Sequence, residues 1–448
     1  MMSEKHRTDQ TLLQLGAPLL ISALIGMVVM LVDTMIISSY SEEAAAAVSI
    51  ANQILLVAFD LSAFFAAGAV VMISRRLGSG DPEEAKKFAE TAMVGNAVIG
   101  LILGLILFVG APWWIAAINC PPEIMAGAVS YLQIGAFTIL FNGIMMAGTS
   151  MLRAYGETRT LLGLGVLAFG LYLPLSYLLI FGIGIFPELG IRGSALATLG
   201  VRAVAVLALL IVLARKLKFH PRFFKGSWPE FKERAKPMFT LTWPGALDNL
   251  AYGFYQMILV SFIAGMSVIM VLSRSFTLVL SSVLTVLLMS LSQANEVMVG
   301  YRFGARKFGE VTACVIHASG LATLVTTLAA VLLYLGAEPL VGLFTKQPEI
   351  IELAKKLLWL TIFVQPFSAI NTVLYYSLKT VGDVIVPVAG TQIMMWLISV
   401  PVAYFLAVTQ GMGVVGLWYV LLGEEFLKAV FLIWRWRAQM KREFVLRA

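Results

Sequence analysis

The sequence predicts an all-α membrane protein, with twelve transmembrane helices in two six-helix bundles related by pseudo-two-fold symmetry. Three observations carry this. The chain is 60% hydrophobic and only 13% charged, with a mean hydropathy of +0.90 over 448 residues, whereas soluble domains carry roughly a quarter charged residues. Apolar runs of about 20 residues, the length that crosses the hydrocarbon core, recur along it. The second half of the chain also repeats the first. A surface this poor in polar groups cannot coat a water-soluble globule. Lipid is therefore the solvent, and the prior of about 150 residues per soluble domain does not apply.

The apolar runs fall near residues 11–37, 44–73, 88–112, 125–150, 160–185, 190–214, 237–263, 268–299, 311–335, 350–378, 384–408 and 412–435. Gly, Pro or charge separates them, as in GSGDPEEAKK at 78–87, CPPE at 120–123, PELG at 187–190 and KQPE at 346–349. The polar first ten residues, MMSEKHRTDQ, precede an apolar segment too long for a cleaved signal core, so no signal peptide is expected.

Basic residues set the expected orientation. Of the 32 Lys and Arg, 25 fall on the side of the N-terminus, 4 on the opposite side, and Arg202, Arg274 and Lys428 lie within spans. The positive-inside rule then puts both termini in the cytoplasm and the protein, multi-pass, in the plasma (cytoplasmic, inner) membrane. The net charge of +7 is accounted for by these loops and does not call for nucleic acid. The longest loop, at 215–236, is basic with interleaved aromatics, as suits a linker lying on an anionic lipid surface. It divides the chain into an N-terminal bundle, 1–214, and a C-terminal bundle, 237–448.

The repeat has an offset of about 226 residues. FNGIMMAGTSMLRAYGETRT at 141–160 aligns with FSAINTVLYYSLKTVGDVIV at 367–386, so that Arg153 meets Lys379, Gly156 meets Gly382 and Glu157 meets Asp383. Arg76-Leu77-Gly78 meets Arg302-Phe303-Gly304, and Pro174 aligns with Pro401. Six spans per half give both copies the same orientation, related by an axis along the membrane normal, as in transporters whose site lies between two bundles.

Chemistry is sought among groups that are expensive in lipid, since an ionisable side chain within a span costs several kcal/mol on most scales. These are Asp33, Asp60, Arg202, Asp248, Arg274, Glu296, Glu424, Glu425 and Lys428. Asp33, in LVDTMIIS, lies fifteen residues after Pro18, which can bend the helix. A carboxylate on a bendable helix can couple its protonation to helix shape, or it can form a plain ion pair with Arg202. Asp248 follows Pro244 in TWPGALDNL; Glu296 is expected to pair with Arg302 or Arg306; Glu424 and Lys428 stand one turn apart and read as a mutual pair. Arg274 is expected to face the interior and hold an anionic group or a second-half carboxylate. Tyr252, Tyr255, Gln256, Asn371 and Tyr375 can line a cavity for flat cations or simply pack. With Asp60, Arg274 and Glu424 they form the candidate substrate cavity.

Other classes of function find little support. Cys120 and Cys314 are far apart and form no CxxC pair, so neither a disulfide framework nor a metal site is expected. His6 and His220 fall in charged loops, and His317, inside an apolar run, is expected to be a packed helix residue. GSGDPEE lacks the Lys-Ser/Thr of a phosphate loop. No enzyme is expected and no cofactor, which leaves an ion gradient, H+ or Na+, as the energy source. The expected partners are small-molecule substrates and membrane lipids, with the chain acting as a monomer.

Taken together, APLLISALIGMVVMLVDTMIIS, AAAAVSIANQI, SRRLGSGDPEEAKK, LRAYGETRT, GIRGSALAT, SLSQANEVMVGYRFGARK and SLKTVGDVIVP resemble the multidrug and toxic compound extrusion (MATE) transporters of the multidrug/oligosaccharidyl-lipid/polysaccharide exporter superfamily. The resemblance covers nearly the whole chain. It implies two six-helix bundles around a V-shaped cavity, and alternating-access export of cationic or lipophilic organic solutes by antiport with protons or sodium. The alternative within the superfamily is a flippase for lipid-linked precursors. The resemblance places Asp33 at the first-helix acidic position and Thr198 at a sixth-helix hydroxyl beside it. The sequence departs elsewhere: Ser176 stands where Asp or Asn is usual, Tyr172 replaces the upstream Asn, Tyr252 a seventh-helix Glu, and Ser368 a tenth-helix Asp. These changes remove oxygen ligands that a hard cation wants. The expected ion-coupling set is therefore Asp33, Ser176, Thr198 and Arg202, with protons favoured over sodium.

Overall fold

Every described element is helical, and the helices are apolar runs closed by local caps. The computed structural model describes residues 11–118, 120–219 and 227–447. His6 with the first ten residues, and His220 with residues 220–226 of the expected linker, lie outside the described residues. In chain order the helices are α1 (Leu12–Tyr40), α2 (Glu42–Ser62), α3 (Phe64–Gly78), α4 (Pro82–Ala117), α5 (Pro122–Ala154), α6 (Thr158–Phe181), α7 (Ile191–Leu217), α8 (Trp228–Ala264), α9 (Val268–Gly304), α10 (Phe308–Leu335), α11 (Ala337–Val341), α12 (Pro348–Thr380), α13 (Ile385–Ile393), α14 (Val400–Tyr404) and α15 (Gly413–Arg447).

Helix starts follow from residue type. Asp81 accepts a 3.0 Å hydrogen bond from the Glu84 amide, Pro82 opens α4, and Glu83 and Glu84 fill its first turn. The missing donor of Pro82 costs nothing there, and negative charge suits the helix N-terminus. Ser41 caps α2 and Ser267 caps α9 in the same way.

Ten helical segments are long and apolar enough to cross a membrane among the described residues, counting α2 with α3 as one and Ile385–Thr409 as one. The other two of the twelve expected spans are met by α8 and α15, of 37 and 35 residues. These two are the more polar because they carry the polar groups of the second half: Asp248, Tyr252, Tyr255 and Gln256 on α8, and the three charges Glu424, Glu425 and Lys428 on α15. The expected second span is interrupted, since α2 ends and α3 begins on either side of Ala63. The eleventh is irregular, with π-helical turns at Met394–Ser399 and Phe405–Thr409 on either side of α14, a feature that often marks a functional helix.

The chain falls into two compact units. One comprises Ile21–Thr242; the other takes Thr11–Leu20 together with Trp243–Ala448. The first turns of α1 thus belong with the second unit, where Leu12 and Leu15 pack with Leu288, Leu291 and Val373. The core of the first unit gathers Leu55, Leu132, Ile139 and Ile180 among small residues.

Lipid tails are as apolar as leucine, so helices associate here through close packing of small residues rather than by a hydrophobic force. Helix α4 presents Gly100 and Gly104 to α5. A Cβ at Gly100 would stand 2.8 Å from the Ile139 carbonyl oxygen, and one at Gly104 2.8 Å from that of Ala136. Gly143 of α5 returns the contact, with a Cβ there only 2.5 Å from the Asn96 carbonyl oxygen. Backbone cannot yield as a side chain tip can, so these glycines fix how near the two helices come.

The repeat is visible in local geometry. After α5, Gly156 takes φ +76 and the Glu157 amide bonds the Leu152 carbonyl at 2.9 Å; after α12, Gly382 takes φ +90 and the Asp383 amide bonds the Leu378 carbonyl at 2.9 Å. Both are helix ends closed by a left-handed residue and a 6→1 hydrogen bond. In each copy the acid that follows grips a base near the end of its own half: Glu157 holds Lys216 at 2.8 Å, and Asp383 holds Arg435 through two hydrogen bonds.

Candidate functional site

In the first unit the break between α2 and α3 exposes backbone groups that other helices satisfy. The Asn142 side-chain amide donates to the Phe59 carbonyl at 3.1 Å and to Ser62 Oγ at 2.9 Å. The Phe65 amide donates to Asn96 Oδ1 at 2.9 Å. Arg202, on α7, completes the arrangement: its guanidinium donates to Asn142 Oδ1 at 2.8 Å and lies 4.3 Å from the centre of the Phe59 ring. Ser62, Asn96 and Asn142 are all buried. Arg202 therefore braces an interrupted helix.

Asp33 lies elsewhere in the same unit. Its Oδ1 accepts a 2.8 Å hydrogen bond from the Tyr172 hydroxyl and a long one, 3.5 Å, from Ser176 Oγ. Tyr172 and Ser176 are one turn apart on α6, so one helix face supplies both donors. The Tyr172 hydroxyl also lies 3.3 Å from Ser194 Oγ on α7. Thr198, one turn further along α7, donates to the Ser194 carbonyl at 3.0 Å. Tyr131 of α5, buried, faces Ser194 and Asn52. The result is a row of hydroxyls leading away from one carboxylate.

The structure departs from four expectations here. No ion pair within 4.0 Å joins Asp33 to Arg202 among the described residues; Arg202 is taken by Asn142 and Phe59, so it leaves the cluster of Asp33, Ser176 and Thr198. Tyr172, read from the sequence as the loss of a ligand, is the strongest partner of Asp33, because its longer side chain brings a hydroxyl to where a shorter amide would point. Asp60 is exposed in the last turn of α2, and its carboxylate has no hydrogen bond or ion pair among the described residues. His317 is likewise exposed on α10 rather than packed.

The second unit gathers most of the remaining candidates. On α15, Lys428 stands between two carboxylates, 2.5 Å from Glu424 Oε1 and 3.6 Å from Glu425 Oε1. Glu424 also accepts from the Tyr255 hydroxyl at 2.5 Å. Asn371, on α12, donates to the Glu425 carboxylate at 2.9 Å and to its carbonyl at 2.8 Å. On α8, the Gln256 side-chain amide donates to the Tyr252 hydroxyl and its oxygen accepts from Arg274, both at 2.5 Å. Tyr252, Tyr255, Gln256, Arg274, Asn371 and Glu424 are thus linked in two short chains meeting on α8. Tyr375 is apart from them, beside Asp248 and Tyr376. Asp248 accepts a 2.6 Å bond from Gln392, whose oxygen in turn accepts from the Trp396 indole. Glu296 is fully buried with Lys379 at 2.6 Å.

Sequence reasoning missed Asn142, Ser194, Gln392 and Trp396. Polar residues of this kind within an apolar run were the available signal, but an uncharged one does not stand out as a costly charge does. A cleft of about 710 Å³ in the second unit is lined by Phe363, Pro366, Phe367, Tyr419 and Phe426 with Thr327, and by none of the predicted cavity residues.

Comparison with known proteins agrees with this architecture. The family model MatE matches twice, over residues 18–178 and 244–405, once in each copy of the repeat. The chain is 27% identical to the uncharacterized transporter YisQ of Bacillus subtilis, over 97% of this chain and 96% of that one. It is also 27% identical to the probable multidrug resistance protein NorM of Thermotoga maritima, over 97% and 95%. Among solved structures, the Vibrio cholerae MATE transporter VcmN in its bent form superposes with a TM-score of 0.88 at 18% identity, covering 99% of each chain. With two matches to the family model spanning most of its length, this multi-pass membrane protein belongs to the MATE family of transporters.

Proposed function

We propose that the chain exports organic solutes, cationic or lipophilic, from the cytoplasm by antiport with protons, and that Asp33 is the coupling carboxylate. The observation behind this is the isolation of Asp33 from base. It lies within a span, and its partners among the described residues are hydroxyl donors. A permanent charge there is costly, so the group favours an arrangement in which a proton or cation comes and goes. Hydroxyls that donate to the ionised carboxylate can turn to accept from the protonated one, which suits a proton. A hard cation would want more oxygen ligands than Asp33, Tyr172 and Ser176 offer. A proton that binds one conformation better than another shifts their balance, and that shift is what alternating access needs.

Both termini are placed in the cytoplasm and the protein in the cytoplasmic membrane, on the 25 to 4 distribution of basic residues. Multidrug resistance proteins among the relatives support export of organic solutes. The lipid-precursor reading is weaker, since Arg202, one of two basic groups available for a pyrophosphate, is engaged by Asn142 and Phe59.

The test is efflux of ethidium from proteoliposomes under an imposed proton or sodium gradient. Asp33→Asn should abolish gradient-driven efflux while ethidium binding survives, and Asp33→Glu should keep part of the activity. Wild-type efflux by Asp33→Asn, or efflux that follows sodium at fixed pH, would sink this mechanism.

A further inference from the structure

The cleft of about 710 Å³ in the second unit has no charged residue in its lining. One wall is a face of α12, with Phe363, Pro366 and Phe367, and another is a face of α15, with Tyr419, Gly423 and Phe426. Residues three or four apart on a helix share a face, so each wall is continuous. Phe363 and Phe426 are 45% and 48% exposed, so the cleft is not closed over. Gly423 keeps it open, since a Cβ at that position would meet nothing within 4 Å. The rings beside it are held in place. Phe367 packs edge-on against Phe426, with centroids 5.3 Å apart, and Phe363 packs edge-on against Trp359 at 4.8 Å.

One charge stands in line with this cleft. Lys356, Phe363 and Phe367 are spaced by seven and four residues, which places them on one face of α12, with Trp359 between the first two. Lys356 is exposed. It has no carboxylate within 4.0 Å among the described residues, whereas its neighbour Lys355 reaches Glu338 at 4.0 Å. At about 1.5 Å per residue, the cleft begins roughly 10 Å along the helix from Lys356 and extends to roughly 16 Å. Half of the hydrocarbon core is about 15 Å. With Lys356 at one interface, the cleft therefore lies alongside the chains of one leaflet. Trp359 then falls near the headgroups, where tryptophan is enriched.

We propose that one acyl chain of a glycerophospholipid occupies this cleft, with the phosphate of the same lipid paired to Lys356. Water would find few partners there, since the hydroxyls of Thr327 and Tyr419 are the polar side-chain groups of the lining. Left empty, the walls would forfeit their dispersion contacts. Hydrocarbon is what the bilayer supplies at this depth. A chain by itself gains little by leaving its neighbours, because lipid tails are as apolar as the side chains that would replace them. The pairing of phosphate with ammonium supplies the preference and fixes the direction in which the lipid lies. This lipid is a standing part of the second unit rather than cargo, and the proposal does not depend on what the protein exports.

Photolabelling of the full-length protein in nanodiscs would use two probes with the same chain, each carrying a diazirine midway along it: a phosphatidylglycerol, and a diacylglycerol that lacks the phosphate. Labelled positions are mapped by peptide mass spectrometry. The phospholipid should label the peptides holding Phe363 and Phe426 at least fivefold more than the diacylglycerol does. Gly423→Leu fills the cleft and should reduce that labelling at least tenfold, while labelling at the exposed Leu101 and Leu105 of α4 stays as in wild type. Lys356→Gln should erase the preference for the phospholipid, and Lys356→Arg should keep it. Lys356 is exposed, so this pair of variants tests the proposal even where Gly423→Leu does not fold. Excess ethidium should leave the labelling unchanged. The proposal is overturned if wild type takes up the two probes alike in the cleft, if Lys356→Gln keeps the preference, or if folded Gly423→Leu labels as wild type does. Displacement of the lipid by ethidium would also overturn it, and would make the cleft a solute site instead.

Discussion

Tyr172 donates a 2.8 Å hydrogen bond to Asp33 from a helix 139 positions further along the chain. It is the shortest contact that Asp33 makes among the described residues, the other being Ser176 at 3.5 Å. The phenol therefore does what a base would do for an ion pair, holding the carboxylate in place, but without adding a charge.

A hydrogen bond to a charged group is worth about 1.5–3 kcal/mol. Tyr172→Phe should therefore slow gradient-driven ethidium efflux by about tenfold or more. Its effect on the unfolding temperature should vanish in an Asp33→Ala background, because the two act through one contact. Additive losses in the double variant would show that Tyr172 acts independently of Asp33.

Asn142→Ala should destabilise the first unit by about 2–3 kcal/mol, seen as a lower unfolding temperature in detergent. It removes the acceptor of Arg202 and the donor to Phe59 and Ser62 at one stroke, leaving buried polar groups unpaired. Asn142→Asp keeps an acceptor for Arg202 and should lose less. Equal losses in the two variants would argue against a role for Arg202 in bracing the helix break.

Arg306 takes φ +61 at the end of α9, where its counterpart in the first copy, Gly80, takes φ +76. An L-residue pays about 1–2 kcal/mol in that region. The side chain is exposed, so Arg306→Gly should raise stability by about 1 kcal/mol and Gly80→Ala should lower it by a similar amount. Thermal unfolding of both variants measures this directly, and a loss of stability in Arg306→Gly would contradict it.

Glu157 titrates outside the spans. Burial pulls its pKa up, but hydrogen bonds from Lys216 and Thr160 and the charge of Lys216 outweigh burial and hold it below the ordinary value of 4.5. A depressed carboxyl favours the fold at pH above its unfolded value, and that contribution is lost as pH falls through the folded one. Lys216 is half exposed, so the pair is worth at most about 1 kcal/mol. Glu157→Gln should lower the unfolding temperature slightly at pH 7, with the gap to wild type closing below pH ~4.5 as both side chains become neutral. A gap that persists at low pH would mean that packing rather than charge is responsible.

The spans, the repeat and the acid that ends each copy were legible in the sequence because each is local: a run of apolar residues, a fixed offset, a glycine followed by Glu157 or Asp383. The sequence also marked Asp33, Arg202, Arg274 and Glu424 as costly charges, since a charged residue in an apolar run stands out whatever surrounds it. It could not say which of them meet. Asp33 and Arg202 have opposite charges and lie in one unit, yet one is held by Tyr172 and the other by Asn142. Pairing depends on the rotation and depth of each helix, and these are set by contacts far apart in sequence, such as Gly143 against the Asn96 carbonyl. The neutral partners Asn142, Ser194 and Gln392 were invisible for the same reason: a hydrogen bond within a membrane is decided by which helix faces arrive within about 3 Å of each other, and only the packed structure fixes that.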